Sequence, residues 1–264
     1  MGKRDSRLKL IADRVNGSGA VSVRELAEWL NVTGVTVRRD LAQLEQENRL
    51  RLMHGVAVSI NQNHVENNEE YQVTAAETQR AEEKRAVGAA GADLIDREDI
   101  VILDAGTTTE WIARALPSDT PFTVICNSLN IVNLLISNDA VTLIVPGGVF
   151  RKSTMMFESE SGLQFLQEIR AQKAFISASG VDARLGVTCS NMYEIGPKQA
   201  AIASSGKRIL VVDSSKFGSV RVAYFAAISD FDIIVTDEGI SEEYKKMIEE
   251  AGVALVIADK RRLL

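Results

Sequence analysis

The chain has 264 residues, 45% hydrophobic and 25% charged, and a formal net charge of −6, the balance of an ordinary soluble globular protein with room for a small domain beside a larger one. That charge is uneven: residues 1–58 hold ten Lys/Arg against seven Asp/Glu, and the remainder carries a net −9, which excludes a protein that coats polyanions with its whole surface and fits a basic head on an acidic body. Two cysteines (Cys126, Cys189) and two histidines (His54, His64) exclude a disulfide framework and argue against a His/Cys metal site, so the thiols read as buried small hydrophobes.

The opening, MGKRDSRLKL, has no apolar core of a signal peptide, and no apolar run reaches about eighteen residues. The expectation is a cytoplasmic protein with no membrane partner, no metal and no cofactor. A first helix is predicted over Arg4 to Val15, with Leu8, Ile11 and Val15 on one face and Asn16-Gly17-Ser18-Gly19 as its stop. The next start signal is unusually complete. Ser22 can cap, Glu25 can reach back to close a capping box, and Val21 can pack on Leu26. Asn31-Val32 is the turn, and Thr33 is a good cap for a helix over Gly34 to Glu47.

At about 100° per residue, Val37, Leu41 and Leu44 share the inner side of that helix, while Thr36, Arg39 and Gln43 point away and Arg38 lies on a flank. A helix that reads the major groove needs this division. Arg49 to Ile60 then alternates weakly and bends at His54-Gly55, like a basic hairpin able to lie along the DNA backbone. The candidate DNA-facing set is Thr33, Thr36, Arg38, Arg39, Gln43, Arg51 and His54, with Arg39 and Thr36 towards base edges and Arg38 on a phosphate. A charged pair on an exposed helix is common by itself; the full order of capped helix, turn, helix and basic hairpin is what points to double-stranded DNA.

Domain bounds follow as a winged helix-turn-helix over 1–58, a polar acidic linker over 59–70, and a larger domain over 71–264 that begins with a long helix from Tyr71 to Ile95. Short apolar runs then alternate with helical segments. Strands are predicted at Asp99–Leu103, Phe122–Cys126, Val141–Val145, Ala174–Ala178, Arg208–Val212, Ile233–Thr236 and Val253–Ile257. Helices are predicted at Thr109–Leu116, Leu129–Ser137, Ser161–Ile169, Pro197–Ala203 and Glu242–Ala251. This is the pattern of an α/β domain on a mainly parallel sheet.

Ligands of such sheets bind outside the carboxyl ends of the strands, and the residues there are distinctive. Asp104-Ala105-Gly106-Thr107-Thr108-Thr109 runs from a strand into a helix, where free N–H groups and three hydroxyls suit a phosphate. A plain threonine-capped turn is the bland alternative. Asn127, Ser128, Gly147, Gly148, Gly180, Asp182, Glu194, Lys198, Asp213 and Lys216 stand at other strand ends or helix starts. Lys198 and Lys216 could pair with an anion, and Asp104, Asp182 and Asp213 could accept from ligand hydroxyls. Each glycine or carboxylate alone has an ordinary turn or cap role; together they suit a polyhydroxylated phosphate ester such as a sugar phosphate.

Ser22-Val23-Arg24-Glu25-Leu26-Ala27, Thr36-Val37-Arg38-Arg39-Asp40-Leu41, Met53-His54-Gly55 and the strand-end motifs, including Gly180-Val181-Asp182 and Asp213-Ser214-Ser215-Lys216-Phe217-Gly218, together resemble the DeoR family of bacterial transcriptional regulators over nearly the whole chain. Gly106–Trp111 and Thr188-Cys189-Ser190-Asn191 lean towards the deoxyribose operon repressor subgroup. The resemblance implies a winged helix-turn-helix followed by a sensor domain similar to ribose-5-phosphate isomerase. It also implies repression of a sugar or nucleoside catabolic operon, relieved by a phosphorylated sugar. One departure is Val56, where many members have a second wing glycine. A homo-oligomer, dimer or tetramer, is expected, because groove-reading helices usually work on paired half-sites. The alternative is an aldose-ketose isomerase with Asp104, Asp182 or Glu194 as base; no closely spaced carboxylate pair advertises such work.

Overall fold

The computed structural model describes residues 3–18, 20–47, 49–53, 56–59 and 80–259. In the head, α1 (Lys3–Ser18), β1 (Ala20–Ser22), α2 (Val23–Leu30), α3 (Gly34–Gln46), β2 (Leu50–Met53) and β3 (Val56–Ser59) follow in order. Leu8, Ile11 and Val15 of α1 close with Leu26 of α2 and Val37, Leu41 and Leu44 of α3 into one buried core, each such side chain stabilising by about 1.5–3 kcal/mol. The capping box of α2 is present. Ser22 N–H donates to Glu25 Oε2 at 3.0 Å, and Glu25 N–H donates to Ser22 Oγ at 3.2 Å. Two details differ from expectation. Helix α1 continues through Gly17 to Ser18, since one glycine costs only about 1 kcal/mol in a helix whose apolar face is buried. Residues 20–22 also form a strand, which pairs with β3 to give the antiparallel order β1-β3-β2.

The larger part begins with α4 (Ala81–Ala92). The long helix expected over Tyr71–Ile95 is corrected at both ends of its described part. Arg80 has left-handed backbone angles (φ 51, ψ 44), which no helix interior tolerates, and Asp93 closes α4; residues 71–79 lie outside the described residues. Then come β4 (Ile100–Leu103), α5 (Thr107–Ala115), β5 (Phe122–Ile125), α6 (Leu129–Leu135), β6 (Val141–Ile144), β7 (Val149–Arg151), β8 (Met156–Glu158), α7 (Glu160–Glu168), β9 (Ala171–Ser177), β10 (Gly180–Asp182), β11 (Gly186–Cys189), α8 (Ile195–Ala203), β12 (Ser205–Val211), β13 (Ala223–Ala226), β14 (Ile233–Asp237), α9 (Glu242–Glu250) and β15 (Ala254–Ala258).

All seven predicted strands meet in one parallel sheet of order β15-β14-β12-β9-β4-β5-β6. Successive side chains go to opposite faces. Val101, Leu103, Phe175, Val211 and Val235 pack with Val87, Ile112 and Ile131 of α4, α5 and α6. Ile102, Ala174, Ile176, Leu210 and Ile234 pack with Leu166, Ala201 and Ile248 of α7, α8 and α9. The chain leaves β4 through β5 to β6, then returns to β9 on the other side of β4. The order therefore reverses between β4 and β9, and a crevice at their carboxyl ends is the usual ligand site of such a sheet. Two small additions stand outside this sheet: the hairpin β7–β8 and the antiparallel sheet β10-β11-β13.

Candidate nucleic-acid interface and ligand site

Helix α3 is anchored at both ends. Thr33 Oγ1 accepts from Thr36 N–H at 3.3 Å and lies 2.9 Å from the Thr36 hydroxyl, so both threonines serve the cap. Gln43 Nε2 donates to Glu47 Oε1 at 2.9 Å. Arg38 and Arg39 are exposed and bond to no described residue, which leaves two guanidiniums free on the outer side of α3. Asp40, buried on the inner side, accepts from Arg7 Nε at 2.5 Å and Arg4 Nε at 3.4 Å. This clasp between α1 and α3 was missed in sequence, where only adjacent residues could be read. In the wing, Arg51 pairs with Val58 in the β2–β3 ladder, and Leu52 N–H donates to Glu45 Oε1 of α3 at 2.8 Å. His54 and Gly55 lie outside the described residues.

At the reversal point the sheet brings Asp104, Gly106, Thr109, Glu194 and Lys198 together with Ser177, which in the sequence is only one polar residue within an apolar strand. Asp104 Oδ2 accepts from Ser177 N–H and Oγ–H, both at 3.0 Å, and from Lys198 Nζ at 2.5 Å; Lys198 also donates to Ser177 O at 3.0 Å. Glu194 Oε2 stands 3.7 Å from Lys198 Nζ, and its Oε1 accepts from Asn191 N–H and Nδ2. Burial alone would lower the Lys198 pKa, but Asp104 and then Glu194 outweigh it and hold the ammonium charged above its usual value. Burial pushes the Glu194 carboxyl up despite Lys198. Lys198, expected as a partner for an anionic ligand, instead gives two of its three donors to Asp104 and Ser177, with Glu194 facing it as well.

Gly106 is required by packing. A Cβ there would run into the Ser177 hydroxyl and stand 2.9 Å from Ser177 Cβ. Thr109 Oγ1 donates to Asp104 O at 2.6 Å and to Gly106 O at 2.9 Å, which ties the turn to its helix. The capping alternative for this turn fails, because no side chain accepts from the first turn of α5. Thr33, Ser159 and Ser241 cap α3, α7 and α9, whereas α4, α6 and α8 begin, like α5, without a side-chain cap. The Thr107 and Thr108 hydroxyls bond to no described group. What stands at the reversal point is an uncapped helix N-terminus with two unspent hydroxyls.

The next strand end is adjacent. Asn127 lines, with Asp104, Pro146 and Leu166, a cavity of about 10 Å³, roughly the room of one water. Ser128 donates to Asn130, which donates to buried Glu110, itself paired with Arg114. Gly147 (φ +73) and Gly148 (φ +129) turn the chain from β6 into the β7–β8 hairpin, where a Cβ on Gly148 would strike the Glu158 carbonyl. That hairpin is bonded to the β5 end through Phe157 N–H to Asn127 O at 2.7 Å. Its tip meets the start of α8, where Tyr193 OH lies 3.1 Å from Ser153 Oγ and 3.3 Å from Thr154 Oγ1.

Two expected ligand residues are spent elsewhere. Asp182 caps its own turn, accepting from Arg184 N–H at 2.9 Å and Leu185 N–H at 2.8 Å, and the Gly180 carbonyl accepts from Thr188 Oγ1 at 3.2 Å. Both belong to the outlying β10-β11-β13 sheet. Asp213 and Lys216 sit beyond β12. Asp213 Oδ1 accepts from Ser215 N–H at 3.1 Å and lies 3.7 Å from Arg80 Nε, while its buried Oδ2 has no hydrogen-bond partner. Arg80 also donates to Ser214 Oγ at 3.2 Å and lies 3.9 Å from Asp237. Lys216 is half-buried and bonds to no described residue through its ammonium. Cys126 and Cys189 are buried thiols pushed up to about 12 by burial. Among the described residues no group of three His, Cys, Asp or Glu could hold a metal ion, and no helix is long and apolar enough to cross a membrane.

The fold and its strand-end chemistry can be set beside known proteins. Residues 7–63 match the model of the DeoR-like helix-turn-helix domain, and residues 79–238 match that of the DeoR C terminal sensor domain. The chain belongs to the DeoR family. The curated relatives that it resembles over most of their length are transcriptional regulators, so the isomerase alternative is set aside. The deoxyribose operon repressor of Escherichia coli K12 is 31% identical over 254 residues, 96% of this chain and 98% of that protein. The lactose phosphotransferase system repressor of Staphylococcus epidermidis is 34% identical over 91% of this chain and 95% of its own length. An uncharacterized HTH-type transcriptional regulator of Bacillus subtilis is 32% identical over 94% of each. Among solved structures, ribose 5 phosphate isomerase A from Neisseria gonorrhoeae aligns with 51% of this chain and 52% of its own at 15% identity and a TM-score of 0.36. The DeoR-type helix-turn-helix makes this protein a DNA-binding regulator.

Proposed function

We propose that this DeoR-family protein is a repressor of a carbohydrate or nucleoside catabolic operon, and that a phosphorylated sugar bound at the Gly106–Thr109 turn releases it from the operator. The observation that carries the reading is the uncapped start of α5. It offers backbone N–H groups, the positive end of a helix and the unspent hydroxyls of Thr107 and Thr108 at the reversal point of a parallel sheet. Lys216 supplies a cation with no partner among the described residues. The relatives named for deoxyribose and lactose operons support the sugar class. The Asp104–Lys198 pair holds the floor of the crevice rather than the phosphate. Outer residues of α3, Arg39 above all, read the operator, with the protein acting in the cytoplasm as a homo-oligomer on paired half-sites. In this scheme head, connector and sensor span 1–58, 59–70 and 71–264.

A thermal-shift screen of pentose and hexose phosphates beside the free sugars tests the ligand class. A ligand at a hundred times its Kd adds about 2.7 kcal/mol, so the matching phosphate should raise Tm by several degrees while its unphosphorylated sugar does not. Equal shifts from the free sugar and its phosphate would remove the phosphate site.

A further inference from the structure

Helix α1 carries two arginines towards the reading helix, and the buried Asp40 holds both. Asp40 lies on α3 next to Arg39, is 1% exposed, and accepts from Arg7 Nε at 2.5 Å and Arg4 Nε at 3.4 Å. The two guanidiniums differ in what they have left. The Arg7 side chain is 24% exposed, whereas Arg4 remains 47% exposed after touching Asp40. Arg4 also shares the wall of one surface concavity with Arg39, Ala42 and Gln43 on the outer side of α3. A carboxylate that engages a guanidinium through Nε leaves its terminal nitrogens free, and a planar fork held in this way matches a phosphate oxygen pair. The charged side chains lining the concavity are Arg4 and Arg39 against Glu47, so it faces an anion with a net positive wall.

We propose that Arg4, oriented by Asp40, contacts a phosphodiester of the DNA duplex beside the groove read by Arg39. Helix α1 then belongs to the nucleic-acid interface and is not only a support for it. Asp40 is a positioning residue in this arrangement: it touches no DNA and aims a group that does. The inference rests on the head's being a DNA-binding module, and adds a residue that lies outside the helix-turn-helix itself.

The test uses the full chain and a duplex that the wild type selects from a random-sequence pool, with binding followed by fluorescence anisotropy between 50 and 200 mM salt. Removing one phosphate contact lowers the slope of log affinity against log salt by about 0.9, equivalent to ~8-fold weaker binding at 0.1 M salt. Arg4→Gln should show that loss, Arg4→Lys should restore the slope with part of the affinity, and Lys246→Gln, a charge removed from the exposed side of α9, should change neither. Asp40→Asn supplies a test of sign. It makes the head more positive, so charge alone would tighten binding, whereas loss of Arg4's orientation weakens it. An Arg4→Gln slope equal to that of Lys246→Gln would overturn the contact. A folded Asp40→Asn protein that binds more tightly would overturn the positioning role. Failure of the wild type to select any duplex would strike instead at DNA binding as a whole.

Discussion

Asp104, Ser177 and Lys198 lie 21 to 94 residues apart in the chain and meet within one hydrogen-bond length. A buried lysine persists there because two carboxylates face it, and truncating one member of such a set typically costs 3–5 kcal/mol. Glu194 is the member whose charge is least supported, because burial pushes its carboxyl above the usual range. For a group whose native pKa is raised, the stabilising contribution is fully present below its unfolded value, about 4.3 for Glu, and is lost as pH rises through the native value. Glu194→Gln keeps an oxygen for Asn191 and removes the titration. Urea midpoints should therefore favour the variant over wild type by a gap that widens between pH 4.5 and 7.5. Parallel curves would mean that Glu194 is not held protonated more strongly in the native state. None of this was legible from spacing: the sequence placed Asp104 and Lys198 at strand ends and helix starts, but only the sheet order makes them partners of each other rather than of a ligand.

At the scale of elements, the readable parts are those whose physics is local. The seven strands of the parallel sheet are apolar on both faces, and the helices between them carry one apolar stripe, so both periods stand out in the sequence. The strands missed, β1, β7, β8, β10, β11 and β13, lie outside the parallel sheet and carry neither its continuous apolar runs nor a sustained alternation. Helical composition over Tyr71–Ile95 continues through Arg80, but the left-handed backbone of Arg80 sets the start of α4 at Ala81. The capping box at α2 is legible because it is complete within four residues. Ser22→Ala should lower the head's stability by about 1 kcal/mol. In a Trp111→Phe background Trp29 alone reports the head, and an unchanged urea transition at Trp29 would mean that the box contributes nothing to folding.

For the whole molecule, the basic head and acidic sensor inferred from charge correspond to a reading helix with two free arginines and a doubly wound sheet with an uncapped helix start at its reversal point. Arg80, the first described residue of the sensor, reaches the Asp213–Ser214 loop and Asp237. The central claim is that a phosphorylated sugar at Thr107–Thr108 controls DNA binding by α3. Its direct measurement is the anisotropy of a selected duplex bound to the full chain, titrated with the sugar phosphate that raises Tm. Wild type should release the duplex. Thr108→Ala, short of one hydrogen bond to a charged group worth roughly 1.5–3 kcal/mol, should bind the duplex equally well and need at least ~10-fold more ligand to let it go. Release of wild type and Thr108→Ala at the same ligand concentration, or no release of wild type at all, would contradict the account.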